Sequence, residues 1–301
     1  MSIVTSPLRL YHATRSAAMR ALAPVIAGVV LAGALAAPTV AAGRTFYVAT
    51  NGNDAASGSI SHPWRSFHVS LKKLRAGDKL YIRGGSYSFK GVNYTSVAGT
   101  STSPILISAY PGERPVFTGT STPADFLYFS GNSAYITLRG LTIQGGGRTS
   151  DSNGSSLLGF VGNANHIRIE RNRLIGSATW EARQHLAYVA APSVNDMVFK
   201  LNTFDGRGCA CAGLLNFYHD PNGVAIRVYD NTIRNADQGI VIWANVRGLR
   251  ISGNTLSSLR IGVQHHYSSG TKIDNNTATR VSTTIYAGSK VNLTVYGNSW
   301  Q

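Results

Sequence analysis

Acidic residues are scarce in this chain: 13 stand against 28 basic ones in 301, a formal net charge of +15. The few carboxylates are also scattered. A dense acidic cluster of the kind that binds calcium is missing, so no cofactor is called for and calcium is left open. A set of carboxylates on one outward strand face, which a glycan hydrolase needs, is missing too, with only Asp220 standing clearly in such a place. Cysteine is nearly absent, being confined to Cys209 and Cys211. Without further Cys or well-spaced His, a metal pair there is disfavoured. A bridge across one residue is strained relative to ordinary disulfide geometry, which leaves a disulfide and two small thiols equally open. No nucleic-acid motif accompanies the positive charge. Nor is there a long apolar run: 21–37 is interrupted by Gly and Pro and short for a membrane span.

That run has the flanks of a secretory leader. Arg9, Arg15 and Arg20 precede it, Val40-Ala41-Ala42 follows it, and no acidic residue comes before Asp54. The expected organisation is a leader over 1–42 and one domain over 43–301, with 43–90 forming its cap and first strands. An uncleaved anchor is the alternative. Removing the leader's three arginines leaves 25 basic residues against 13, a charge of +12. Such a field favours a polyanion. Export, to the outside of the cell or the periplasm, points to an acidic polysaccharide rather than nucleic acid, with no membrane contact after cleavage. A monomer is expected.

What the chain has in abundance is repetition. Arg227-Val-Tyr-Asp-Asn-Thr-Ile233 returns as Arg250-Ile-Ser-Gly-Asn-Thr-Leu256, Lys272-Ile-Asp-Asn-Asn-Thr-Ala278 and Thr294-Val-Tyr-Gly-Asn-Ser-Trp300. Asn231, Asn254, Asn276 and Asn298 fall 23, 22 and 22 residues apart, a solenoid period. Each copy alternates apolar and polar residues, meets an Asn, and alternates again, so two strands meet at a sharp corner. Asn tolerates the left-handed backbone of such a corner, and stacked asparagines would form a ladder. Asn172 and Asn202 extend the series with longer loops, and Gly140 takes the Asn place in the coil before them. The pattern specifies an all-β, right-handed, single-stranded parallel β-helix.

Segment 44–89 differs. Phe67, Leu71 and Leu74 share a helical face while Lys72, Lys73 and Arg75 stay wet. A short helix over 66–74 would close the open end of the solenoid, making it the N-terminal capping helix. Here the chain resembles a family. Phe46-Tyr47-Val48, Asn51-Gly52-Asn53-Asp54, Gly58, Pro63-Trp64, Ala76-Gly77-Asp78 and Tyr81-Ile82-Arg83-Gly84-Gly85-Ser86-Tyr87 are similar to the opening of secreted parallel β-helix proteins of the pectate-lyase-like superfamily. These include chondroitinase-B-like and alginate-lyase-like polysaccharide lyases. Pro104 to Val116 continues the likeness. The same frame carries lyases, epimerases, hydrolases and binders. The Arg-His-Gly-Asn and Asn-Glu-Gly signatures of the chondroitinase-B-like lyases do not occur here.

A third strand follows each Asn by about eight residues: 214–220, 239–244 and 262–267, with 185–189 before them. Placing Ile240 and Ile242 inward turns Val241 and Trp243 outward, with Gln264 and His266 above them; His265 is expected inward. The same reasoning turns Asn216, Tyr218 and Asp220 outward, and a one-residue slip would exchange Tyr218 for His219. The resembled lyases and epimerases bind sugar along this face. Uronic-acid cleavage requires a base beside the sugar and a cation on its carboxylate. The catalytic candidates are His266, His219, Tyr218 and Arg183, the last opposing the carboxylate. Trp243, Gln264, Asp220 and His185 are the candidate substrate contacts. The activity expected is polysaccharide lyase by β-elimination; a C5-epimerase and a non-catalytic glycan- or surface-binding solenoid are the alternatives. Each residue also has a plain reading: Asp220-Pro221-Asn222-Gly223 is a turn, and an exposed Trp243 needs no function.

Overall fold

The computed structural model describes residues 43–120, 125–146, 155–181, 183–190, 193–218, 224–243 and 246–301. The expected leader, His219 and Asp220 lie outside them. Among the described residues every strand pairing is parallel, and one α-helix, Phe67–Lys73, is present. None of the described helices is long and apolar enough to cross a membrane.

The chain winds through three strands per coil. Lys79–Ile82, Gly85–Phe89 and Tyr94–Thr95 make the first coil; Ile105–Ala109, Pro115–Gly119 and Leu127–Phe129 make the second. Each strand pairs with its equivalent about one coil further on, which builds three flat faces along the stack. From Thr203 onward the corner between the second and third faces no longer interrupts pairing, and Thr203–Phe217, Thr232–Ile242 and the first parts of Thr255–Asp274 and Thr277–Tyr296 run across it. Alternation does the rest. Inward residues fill a core of Leu, Ile, Val and Phe, with Leu138, Ile143, Leu158, Phe199 and Ile251 wholly buried. This is the parallel β-helix that the repeat specifies.

The Asn ladder is present, with one correction. Asn172, Asn202, Asn231, Asn254 and Asn276 are buried at the corner between the first and second faces. The backbone N–H of each, and its side-chain amide, donates to Oδ1 of the next: Asn231 to Asn254 at 2.9 Å for both, Asn254 to Asn276 likewise. The amide also donates to a carbonyl of the preceding coil, Asn254 to Val228 at 2.9 Å. The left-handed residue, however, is the one before the Asn. Gly140, Arg171, Leu201, Asp230, Gly253, Asn275 and Gly297 all have positive φ, and the ladder asparagines do not. The register Arg173–Thr142 sets Asn172 against Leu141, not Gly140, and Leu141 N–H donates to Asn172 Oδ1 at 3.0 Å. Gly140 therefore belongs to the left-handed column, while the ladder itself begins at Asn172.

The helix follows strand Thr45–Val48 rather than opening the fold, and that strand pairs with Lys79–Ile82. Its apolar face is the expected one: Phe67, Leu71 and Leu74 are buried, and Phe67 stacks on Phe126 at 5.0 Å. The preceding loop is pinned by Asp54, whose carboxylate accepts from the N–H of Arg65 and Ser66 and from Ser66 Oγ. Trp64 is buried against Phe46 at 4.6 Å.

Candidate functional site

The third face carries a row of outward aromatic side chains. Tyr188, Asn216, Val241, Gln264 and Tyr286 share one register line. Two residues further along the same strands, Tyr218 and Trp243 follow Phe217 and Ile242, and His266 follows His265. Trp243 N–H donates to Phe217 carbonyl oxygen at 2.8 Å, which holds this second line in step. Side chains on successive coils are separated by the interstrand spacing of roughly 4.8 Å, so rings at equal positions stack. Trp243 and His266 do so with centroids 3.6 Å apart and planes 7° apart. Tyr286 lies 6.0 Å from His266, and Tyr188 lies 6.0 Å from Tyr218.

His266 is the best-defined titratable group of this surface. Partial burial lowers its pKa below 6.5, so the ring is neutral at neutral pH and has a lone pair to offer. Its Nε2 lies 2.5 Å from the Gln264 side-chain nitrogen, so the amide fixes the ring's rotation and occupies the nitrogen that a substrate would have to reach. One face of the Trp243 indole is covered by the imidazole. A sugar stacking on Trp243 therefore has only the remaining part of the ring, which is 40% exposed. Tyr218 is 45% exposed, and its neighbour Tyr188 has its phenol pKa pushed up to about 12, first by burial and then by the nearby Tyr218. His265 points inward as expected: it is fully buried, bonds Thr271 Oγ1 at 2.9 Å, and is held neutral by burial with a pKa of about 4.

Three residues expected on this outward face are placed differently. His185 is buried, not open to substrate. Its Nδ1 is 2.8 Å from the Gly213 carbonyl oxygen and its Nε2 3.4 Å from the Asn216 amide, and burial lowers its pKa to about 4. Val241 lies on the outward register line yet is wholly buried. Gly213 packs on it so closely that a methyl group there would come within 2.9 Å of Val241 Cγ2. Both are covered by the segment that leads into strand 214–217. Arg183 is exposed, but it stands before the start of Gln184–Val189, whereas Tyr218 stands past the residue paired with Val189. The two therefore flank opposite ends of the face, so Arg183 is not grouped with Tyr218 and the adjoining Trp243 and His266.

Tyr286 and Tyr188 were reachable from the sequence. Tyr286 follows Gln264 by the same 22-residue step as the ladder, and Tyr188 sits in the strand preceding Asn216. Further towards the first coil, Tyr94 and Tyr128 continue the aromatic line at 5.6 Å. Among the described residues no group of three or more His, Cys, Asp or Glu side chains could hold a metal ion. Cys209 and Cys211 form a disulfide, both buried in the core.

Residues 46–178 match the family model described as Pel9A-like, right handed beta helix region. The pectate lyase PEL9 of Emericella nidulans is 34% identical over 82 residues, 26% of this chain and 20% of that protein. The uncharacterized protein YwoF of Bacillus subtilis is 29% identical over 145 residues, 46% of this chain and 30% of that one. The chain thus spans less than a third of either curated relative. Among solved structures, an alginate lyase from Paenibacillus sp. str. FPU-7 superposes with a TM-score of 0.58 at 17% identity, covering 85% of this chain and 95% of that one. A rhamnogalacturonan lyase gives 0.51 at 14% identity, with 78% and 74% covered. The resemblance to pectate-lyase-like right-handed β-helix proteins therefore holds for the fold. Residues 46–178 end before every third-face candidate from Arg183 to His266.

Proposed function

We propose that this protein is an exported enzyme that cleaves an acidic polysaccharide by β-elimination on its third face, with His266 as base. The observation that carries the reading is the Trp243–His266 stack: a neutral, partly buried imidazole beside an exposed indole and next to Tyr218. A hydrogen next to a uronic-acid carboxylate is removed by a base of near-neutral pKa, and His266 qualifies once the sugar takes the place of Gln264 at Nε2. Tyr218 would give a proton to the departing oxygen. The net charge of +15 favours a polyanion, and the family match and the PEL9 likeness support the substrate class. Arg183 stands too far along the face to neutralise the carboxylate of a sugar held at His266, so that cation is left unassigned.

The test is turnover of pectate, alginate, chondroitin and hyaluronan, with and without calcium, followed by the ultraviolet absorbance of the new conjugated double bond. His266→Ala should lower the rate at least ~10²-fold with little change in binding. Full activity in that variant removes His266 as base. Salt-sensitive binding of acidic polymers with no turnover by the wild type would favour a non-catalytic glycan binder, and inversion without cleavage would favour an epimerase.

A further inference from the structure

The N-terminal end of the stack is closed unevenly. Strand Thr45–Val48 pairs along Lys79–Ile82 and covers the first face. The C-terminal part of the helix shares a cleft with Tyr94 and Thr95 of the third. The second face has no such cover: Gly85–Phe89 pairs with Pro115–Gly119, and no described strand pairs with its other edge. A pocket of about 420 Å³ occupies the gap, within the roughly 300–1,000 Å³ typical of ligand sites.

The walls of this pocket are polar and its floor is aromatic. Ser86 and Ser88 on the open strand line it together with Arg65, His68, Lys90 and Asn93. Beneath lie the rings of Phe67, Tyr87, Phe117 and Phe126, packed at centroid distances between 4.8 and 5.3 Å. Charge decides what such a place accepts. Arg65, His68 and Lys90 all line it, and no Asp or Glu does. Elsewhere Arg44, Arg83, Arg234, Arg250 and Arg260 each meet a carboxylate. Neither Arg65 nor Lys90 forms an ion pair with a described acidic residue. In a chain so short of carboxylates, two such cations around one open pocket favour an anionic guest. Serine hydroxyls and an amide suit a carboxylated sugar better than a bare inorganic ion, because a pyranose offers several hydroxyls beside its carboxylate.

We infer that this pocket is a second, non-catalytic binding site for a single uronic-acid residue, set at the N-terminal end of the stack and apart from the third face. The inference rests on the acidic-glycan reading for its ligand class, but not on His266. It is tested on the full folded protein with the sodium salts of galacturonate, glucuronate and mannuronate as probes, and galactose, glucose and mannose as neutral controls. Binding is followed by amide chemical shifts, with the acidic sugars expected to perturb 65–68 and 85–93. Lys90→Glu combined with Arg65→Ser should weaken that binding at least tenfold at an unchanged melting temperature, while Trp243→Ala leaves it intact. Equal binding of neutral sugars overturns the inference, as does a response confined to the third face or unchanged affinity in the double variant. Tighter binding of a short acidic peptide would reassign the open strand edge to a protein partner and overturn it too. Turnover of an acidic polymer with no uronate response at 65–68 and 85–93 sinks this site alone. A pocket-dependent uronate response without turnover sinks the third-face reading alone.

Discussion

The two halves of the stack are held together by different means. Up to Phe217 the core is built on rings: Phe117, Phe126, Phe129, Phe160, Phe199, Phe204 and Phe217 are all at most 2% exposed, and Phe129 stacks on Phe160 at 4.9 Å. Beyond Phe217 the buried apolar residues are aliphatic, from Ile226 to Ala278, and every corner carries a ladder Asn. Rings differ in size and need particular angles to pack, so each aromatic coil is fitted to its neighbours individually. An aliphatic core of nearly constant width lets coils repeat at 22 or 23 residues with the same bonds. Strict periodicity follows from a uniform core, and it is what makes the second half readable.

The sharpest break of that comparison is a ring deletion. Phe160→Ala, which loses the contacts with Phe129 and Phe199, should cost about 3–5 kcal/mol, measured as a fall in the urea midpoint. The equivalent lesion in the regular half is Asn254→Val. It removes the bonds to Asn276 and Val228 and leaves the Asn231 donors without an acceptor, so about 2–3 kcal/mol is expected. Asn298→Ala, at the partly exposed end of the ladder, should cost less than half as much. Equal losses at 254 and 298 would mean that burial of the amide contributes nothing.

A smaller effect separates the halves by pH. His185 is covered by the irregular stretch of strand around Gly213 and His265 lies in the regular core, and burial lowers both pKa values from 6.5 to about 4. In the unfolded chain both rings take up a proton near pH 6.5, but in the folded protein only near 4. The unfolded state therefore binds more protons between these values. Stability is full above pH 6.5 and falls as pH drops towards 4. His265→Gln should flatten its share of the slope in pH-dependent melting, and His185→Gln should flatten the other. The Arg250–Asp274 pair acts lower down: its arginine holds the Asp274 carboxyl below 3.8, so that contribution is lost only as pH falls below this value.

Much of the fold was legible because it depends on residues at fixed spacing. The ladder, the three-strand coil, the helix face and the outward placement of Trp243, Gln264 and His266 all follow from alternation and period. The left-handed residue was misplaced by one position because Asn and Gly both suit positive φ, and only backbone angles show that Asp230, Gly253 and Asn275 carry it. His185 was read as open because strand parity says nothing of an irregular stretch of the neighbouring strand folding over a face. The Gly213 carbonyl that binds it comes from the next coil, at a sequence distance with no period. Arg183 was grouped with His266 because both lie near the third face; the separation along the strand shows only in the register. The disulfide was one of two states left open, since spacing limits a bridge without deciding it.

The ladder has a consequence for how this chain tolerates change in length. Asn254 offers its N–H to Asn276 just as Asn276 offers its own to Asn298, at 2.9 and 2.8 Å. Excising residues 255–276 would set Asn254 directly before Thr277 and aim its donors at Asn298, leaving no rung open. Excising half that number would strand every rung on the wrong face. Scaffold length in this protein is therefore quantised in whole turns. The chemistry is not, because the same excision that spares the stack carries away Gln264, His265 and His266 together.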